Sequence, residues 1–178
     1  MKDNWNEFFE MLSHHEGGFS DDARDSGNKE DGHGNQGSTM LGVTAYNWAK
    51  WTGKPAPKEV MRKLTKEDVK PLYKKNYWDT CKCDDLPSGL DISIADLSVN
   101  AGKSRASKIL QRILGVSQDG AIGKQTLTAV ANFDPQELIE KYYDGREGFY
   151  KSLDDYKIYG RGWSRRNKET LEKALKLL

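Results

Sequence analysis

Several things are scarce in this sequence, and each scarcity excludes something. Cysteine occurs twice, as Cys81 and Cys83, one residue apart. A disulfide across a single residue is strained, and two thiols do not complete a zinc site, so both are expected as free thiols near a turn. Histidine occurs only as His14, His15 and His33. That leaves little from which to build a metal centre, and neither a metal nor a cofactor is expected. No run approaches the roughly 18 apolar residues of a membrane span. The stretch Met1-Lys2-Asp3-Asn4-Trp5 has no signal-peptide h-region, so synthesis in the cytoplasm without a signal peptide is expected. The net charge is only +1, and no basic stripe is concentrated enough for a nucleic-acid partner. Internal repeats, low-complexity tails and long linkers are also missing.

What is present suits a mostly helical protein. Hydrophobic residues make up 36% and charged residues 31% of 178 positions. A chain of this length forms one domain or two closely packed lobes and buries roughly 70% of its unfolded surface without staples. Charge is unevenly placed. Residues 1–40 carry three Lys/Arg against nine Asp/Glu, hence −6, and residues 141–178 carry ten against six, hence +4. An acidic loop and a basic tail suit a cleft for a polar, partly anionic polymer, and they suit an ordinary solvated surface as well.

The periodicity predicts a series of helices. Trp5, Phe8, Phe9 and Leu12 line one face of a helix over 4–16. Thr44 is placed to cap a helix through about Trp51, which Gly53-Lys54-Pro55-Ala56-Pro57 ends. A short helix over 58–63 follows. Thr65 and Asp68 resemble a capping box opening a helix to about Trp78, with Pro71 early in it. Residues 89–101 read as a buried central helix on which Asp96 and Asn100, four apart, share a face. Lys103 to Leu114 is amphipathic and stops at Gly115. Asp134-Pro135 supplies a cap and first-turn proline for a helix to about Leu153. Arg146 lies on its otherwise apolar side and should pair with an acid. Trp163 should pack between helices, and a last helix runs to Leu178.

One stretch departs from this helical pattern. Residues 17–40 are rich in Gly, Asp, Asn and Ser, and a loop this long is uncommon unless it is functional. It has room for a short β-hairpin. Its Asp, Asn and Gly hint at calcium, but the EF-hand spacing is lacking. Just before it comes His15-Glu16-Gly17-Gly18-Phe19, where the paired glycines should end the first helix. Glu16 then sits at the negative end of the helix dipole, which disfavours an ionised carboxylate and suits a general acid. Asp25 follows nine residues later in a loop, so a second carboxylate can return across a cleft. Two carboxylates facing a groove is the layout of glycoside hydrolysis. A surface glutamate beside a plain glycine cap is the simpler alternative.

His-Glu-Gly-Gly-Phe, then Asp25, then Gly37 to Thr44 as Gly-x-Thr-x-x-Gly-Val-Thr, resembles the lysozyme-like muramidases of glycoside hydrolase family 108. That family includes phage endolysins and proteins once labelled secretion activators. Further matches are Tyr77-Trp78, Asp96 with Asn100, and Gly162-Trp163 with Arg166, so the likeness spans nearly the whole chain. Asn28 to Gln36 looks inserted relative to the family pattern, and Ser26 replaces its usual proline. The run Leu110-Gln111-Arg112-Ile113-Leu114-Gly115-Val116, followed by Asp119-Gly120, Ile122-Gly123 and Thr126-Leu127, resembles a peptidoglycan-binding module.

The resemblance implies a mainly α, lysozyme-like helical fold with a long Gly-rich active-site loop. It implies a catalytic region over 1–97 and a peptidoglycan-binding region over 98–178, packed as one structural unit. It implies a muramidase cleaving the β-1,4 bond between N-acetylmuramic acid and N-acetylglucosamine, bacteriolytic in its effect. Glu16 would be the acid, Asp25 the second carboxylate and Thr39 a water-positioning residue. Phe19, Trp78, Asn100 and Arg165 would contact glycan strands, with Trp78 also suited to the core. The partner is peptidoglycan, without membrane insertion, and the protein is expected as a monomer that reaches the wall by holin-type or dedicated export. The alternative is a non-catalytic wall-binding or secretion-accessory protein.

Overall fold

The computed structural model describes residues 4–15, 17–22 and 28–178, with only the backbone at His15. Among these, helices dominate, and the sheet is a single two-stranded antiparallel hairpin. This is the mainly α architecture with a small hairpin that the sequence implies. No described helix is long and apolar enough to cross a membrane. The chain divides into two compact units, residues 1–8 with 75–178, and residues 9–74. These units follow contact density. They are a different partition from functional regions meeting at 97/98, a border that falls inside one continuous helix.

The smaller unit contains the C-terminal part of α1 (Asn4–His15) and the elements up to residue 74. Strands β1 (Thr39–Met40) and β2 (Val43–Thr44) pair through a two-residue turn. Leu41 and Gly42 there have φ of 50° and 74°, the left-handed geometry that two-residue hairpins need. Thr44 caps α2 (Ala45–Thr52) by accepting the Asn47 amide at 3.2 Å, and Gly53 closes it in a left-handed conformation. After α3 (Lys58–Met61), the Thr65–Asp68 capping box is complete and opens α4 (Lys66–Tyr73). Pro71 removes an amide that would bond back to Glu67. From Lys74 to Asp79 the helix widens into a π-helical stretch. Phe9, Leu12, Val43, Ala49, Met61, Val69, Leu72 and Tyr73 form the buried core of this unit.

The larger unit is built on α5 (Leu90–Ala101), buried at every position from Leu90 to Ser98. It packs against α6 (Lys103–Leu114), α8 (Pro135–Lys151) and α9 (Tyr156–Leu175), with the short α7 (Lys124–Val130) beside α6. Asp91, near the start of α5, accepts the amides of Gly89 and Ile92 and the Asn4 side chain. The expected cap of α8 is present, with the Glu137 amide donating to Asp134 at 2.9 Å. Gln111 organises the turn after α6. It donates to Asp119 at 2.7 Å and to the Ala121 carbonyl at 2.9 Å, and accepts the Gly120 amide at 3.0 Å. Cys81 and Cys83 are free and buried, and burial pushes both thiols up.

Arg146 finds the acid that its position requires. Its Nη2 donates to Asp96 at 2.5 Å, and its Nε donates to the Tyr150 hydroxyl at 2.9 Å. Arg166 reaches the other Asp96 oxygen through Nε at 3.0 Å and Nη2 at 2.8 Å. Asp96 is fully buried and Arg146 is 1% exposed. Burial alone would raise the Asp96 carboxyl's pKa, but the two guanidiniums outweigh it and hold it below the usual carboxylate range. Asp96 is therefore a buried junction joining α5, α8 and α9.

Candidate active site

The polar loop is organised by side chains that bind its own backbone. Asp31 is 2% exposed. It accepts the amides of His33 at 2.8 Å, Asn35 at 3.1 Å and Ala56 at 2.8 Å, and the Asn35 side chain at 2.9 Å. Desolvation works to raise its pKa, but these donors outweigh it and hold the carboxyl well below the usual range. A carboxylate stabilised in this way favours the folded state fully above its unfolded value near 3.9, and that contribution is lost as the pH falls through the depressed folded value. Asp31→Asn is therefore expected to lower stability at neutral pH and to flatten its decline between about pH 4 and 2. Thermal melts across that range test this, and a mutant with the wild-type acid profile would contradict the assignment.

Thr39 sits where several parts of the loop meet. Its amide donates to the Ser20 carbonyl at 2.7 Å, and its carbonyl accepts the Ser20 amide at 2.8 Å. Its hydroxyl donates to Asn28 Oδ1 at 2.7 Å. The Asn28 amide group donates in turn to the Asp22 carbonyl at 3.0 Å and Ser20 Oγ at 3.4 Å. Because the Thr39 hydrogen is committed to Asn28, Oγ1 can act toward a further partner only as an acceptor. Gly37 makes this approach possible. A Cβ there would lie 1.9 Å from the Lys29 carbonyl oxygen and 2.4 Å from the Asn28 carbonyl carbon, so only glycine fits.

The chain just after the helix is held to α3. Asp21 accepts from Lys58 Nζ at 3.0 Å and lies 3.8 Å from Arg62 Nη2. The Lys58 hydrogen bond holds its carboxyl below the ordinary value. The Arg62 guanidinium lies 3.9 Å from the centre of the Phe19 ring. Phe19 is half-buried, and one of its faces is covered by that cation.

Two sequence-derived candidates, Glu16 and Asp25, lie outside the described residues, as does Ser26. α1 ends at His15, immediately before Glu16. Among the others, Thr39 and Phe19 belong to the smaller unit, and Trp78, Asn100 and Arg165 belong to the larger one. Trp78 is corrected to a core residue. It is 1% exposed, packs against Trp5 and Phe8 with ring centres 5.6 Å away in both cases, and donates its indole N–H to Asp84 at 2.7 Å. No face is left for a sugar. Arg165 projects from α9 with its side chain 79% exposed and lies 3.9 Å from Glu169. Asn100 is exposed at the end of α5, with its amide donating to the Asp96 carbonyl at 3.0 Å. Trp163 packs against Tyr150 and Tyr159.

Sequence reading missed Asn28 and Asp31, which fall in the apparent insertion. Periodicity has no hold on a loop. The signal that could have found Asp31 is the Asp-x-x-x-Asn spacing of Asp31 and Asn35, in which the side chain bonds to nearby amides. Asn28 has no such local signal, because its partners lie six to eleven residues away.

A mainly α protein with a small hairpin and a glycine-containing polar loop held around one threonine is the architecture that the sequence resemblance implies. Comparison with known families makes this specific. The Glycosyl hydrolase 108 model matches residues 9–102, and the Predicted Peptidoglycan domain matches residues 105–168. The chain belongs to glycosyl hydrolase family 108. It is similar to Brucella abortus SagA, at 32% identity and a TM-score of 0.84, over 99% of this chain and 97% of that one. A comparison with curated proteins gives no match. Membership places the chain among the glycoside hydrolases and associates it with peptidoglycan.

Proposed function

We propose that this protein is an N-acetylmuramidase that hydrolyses the β-1,4 bond between N-acetylmuramic acid and N-acetylglucosamine in peptidoglycan. Glu16 protonates the leaving oxygen. Asp25 stabilises the oxocarbenium-like centre or activates water, and Thr39 positions that water. The observation that carries this reading is the anchoring of Thr39 to both Ser20 and Asn28. Ser20 lies four residues past Glu16 in the sequence, and Asn28 lies three past Asp25, so one threonine is bonded to a described residue that follows each acid. With its hydrogen given to Asn28, Thr39 Oγ1 accepts a hydrogen from water and leaves the water's lone pair for the sugar carbon. On this reading the enzyme acts on the wall after holin-type or dedicated export, as a monomer.

Mass spectrometry of digested, purified peptidoglycan tests the bond assignment. Fragments ending in a reducing N-acetylmuramic acid are expected. Reducing N-acetylglucosamine would indicate a glucosaminidase, and anhydro ends a transglycosylase. Binding to insoluble wall with no release of reducing sugar would favour the non-catalytic alternative.

A further inference from the structure

The larger unit contains a pocket of about 280 Å³ lined by Asn100, Ala101, Arg105, Phe149, Tyr150, Leu153 and Trp163. Its volume is just below the roughly 300–1,000 Å³ of small-molecule sites, which suits one ring and its substituents rather than an extended chain. Three of the lining residues are aromatic. Trp163 is stacked on Tyr150 with centres 5.5 Å apart. The Arg105 guanidinium lies 4.8 Å from the Phe149 ring centre. Among the described residues that line it, Arg105 alone is charged, and it makes the pocket cationic. Asn100 uses its amide nitrogen on Asp96, which leaves its side-chain oxygen to accept an N–H.

These groups have complementary partners on one ligand type. The apolar face of a pyranose stacks on an aromatic ring, a carboxylate pairs with a guanidinium, and an acetamido N–H donates to an amide oxygen. We propose that this pocket binds a carboxylate-bearing N-acetylated amino sugar, an N-acetylmuramoyl unit of the wall polymer. The assignment rests on peptidoglycan being the substrate class and adds a binding site whose Arg105, Phe149, Tyr150, Leu153 and Trp163 come from the region that matches the peptidoglycan domain and whose Asn100 and Ala101 come from the end of the glycosyl hydrolase match.

Binding can be tested separately from cleavage, in the full-length Glu16→Gln protein, by NMR titration of the Trp163 indole N–H. Three probes distinguish the sources of the carboxylate. N-acetylmuramic acid carries it on the lactyl group, muramyl dipeptide carries it on the peptide, and N-acetylglucosamine has none. At least one of the acids is expected to shift the Trp163 signal with an affinity about tenfold or more above that of N-acetylglucosamine. Arg105→Glu should abolish that preference. Arg105 is exposed, so the variant should melt as the parent does, and an altered melt directs the test to Arg105→Gln instead. Equal affinity for all three probes would overturn the proposal. So would no shift with either acid, or a preference that survives loss of the Arg105 charge. Failure of the wild-type protein to cleave peptidoglycan would overturn the muramidase reading and leave this binding result standing.

Discussion

Glu16→Gln is expected to lower peptidoglycan hydrolysis by about 10²–10⁴-fold, the usual contribution of a positioned general acid. Glutamine keeps the shape and hydrogen-bonding reach of the side chain but cannot supply the proton. The loop has independent supports, namely the Ser20–Thr39 backbone pair, the Asn28 bonds and the Asp21–Lys58 ion pair. The substitution should therefore leave the melting temperature almost unchanged. Release of reducing sugar from purified peptidoglycan, alongside a thermal melt, separates a chemical defect from a folding defect. A Glu16→Gln protein that cleaves near the wild-type rate would remove the acid from the mechanism.

Asp96→Ala should have the largest effect on stability. It strips the carboxylate from a site where Arg146 is 1% exposed and Arg166 also points inward. Removing one partner of a buried pair costs about 3–5 kcal/mol, because the remaining charge is left in a low-dielectric interior. Each kcal/mol is worth about 2–4 °C at this chain length, so the melting temperature should fall by on the order of 10 °C. Replacing Asp96 and Arg146 together with apolar residues of similar volume should recover much of the loss, since the pair must first overcome its own desolvation. Melts of the single and double variants decide this. An Asp96→Ala protein as stable as the parent would show that Arg146 finds compensation elsewhere.

The sequence made much of this legible because local chemistry was decisive. Thr44, the Thr65–Asp68 pair and Asp134-Pro135 each fix a helix start through atoms within four residues of one another. Gly53 and Gly115 fix helix ends for the same reason. The need for an acid near Arg146 was also readable, because an arginine on an apolar face demands one. Its partner's identity required tertiary structure, since Asp96 lies 50 residues away. Trp78 shows the limit from the other side. An aromatic in a family-like string can serve as a sugar platform or as core, and only the positions of Trp5 and Phe8 distinguish the two. In the loop, Asn28 was visible only as the start of extra length, because what it does depends on Ser20, Asp22 and Thr39 converging on it.

Asn28 also constrains engineering. Trimming 28–36 to a shorter connection would delete the acceptor for the Thr39 hydroxyl, and that rotor would then swing to any oxygen in reach. A shortened version of this chain would need a replacement acceptor at the same spot, such as an asparagine or a backbone carbonyl, to keep the rotor's setting. Loop length and hydroxyl direction therefore have to be changed together.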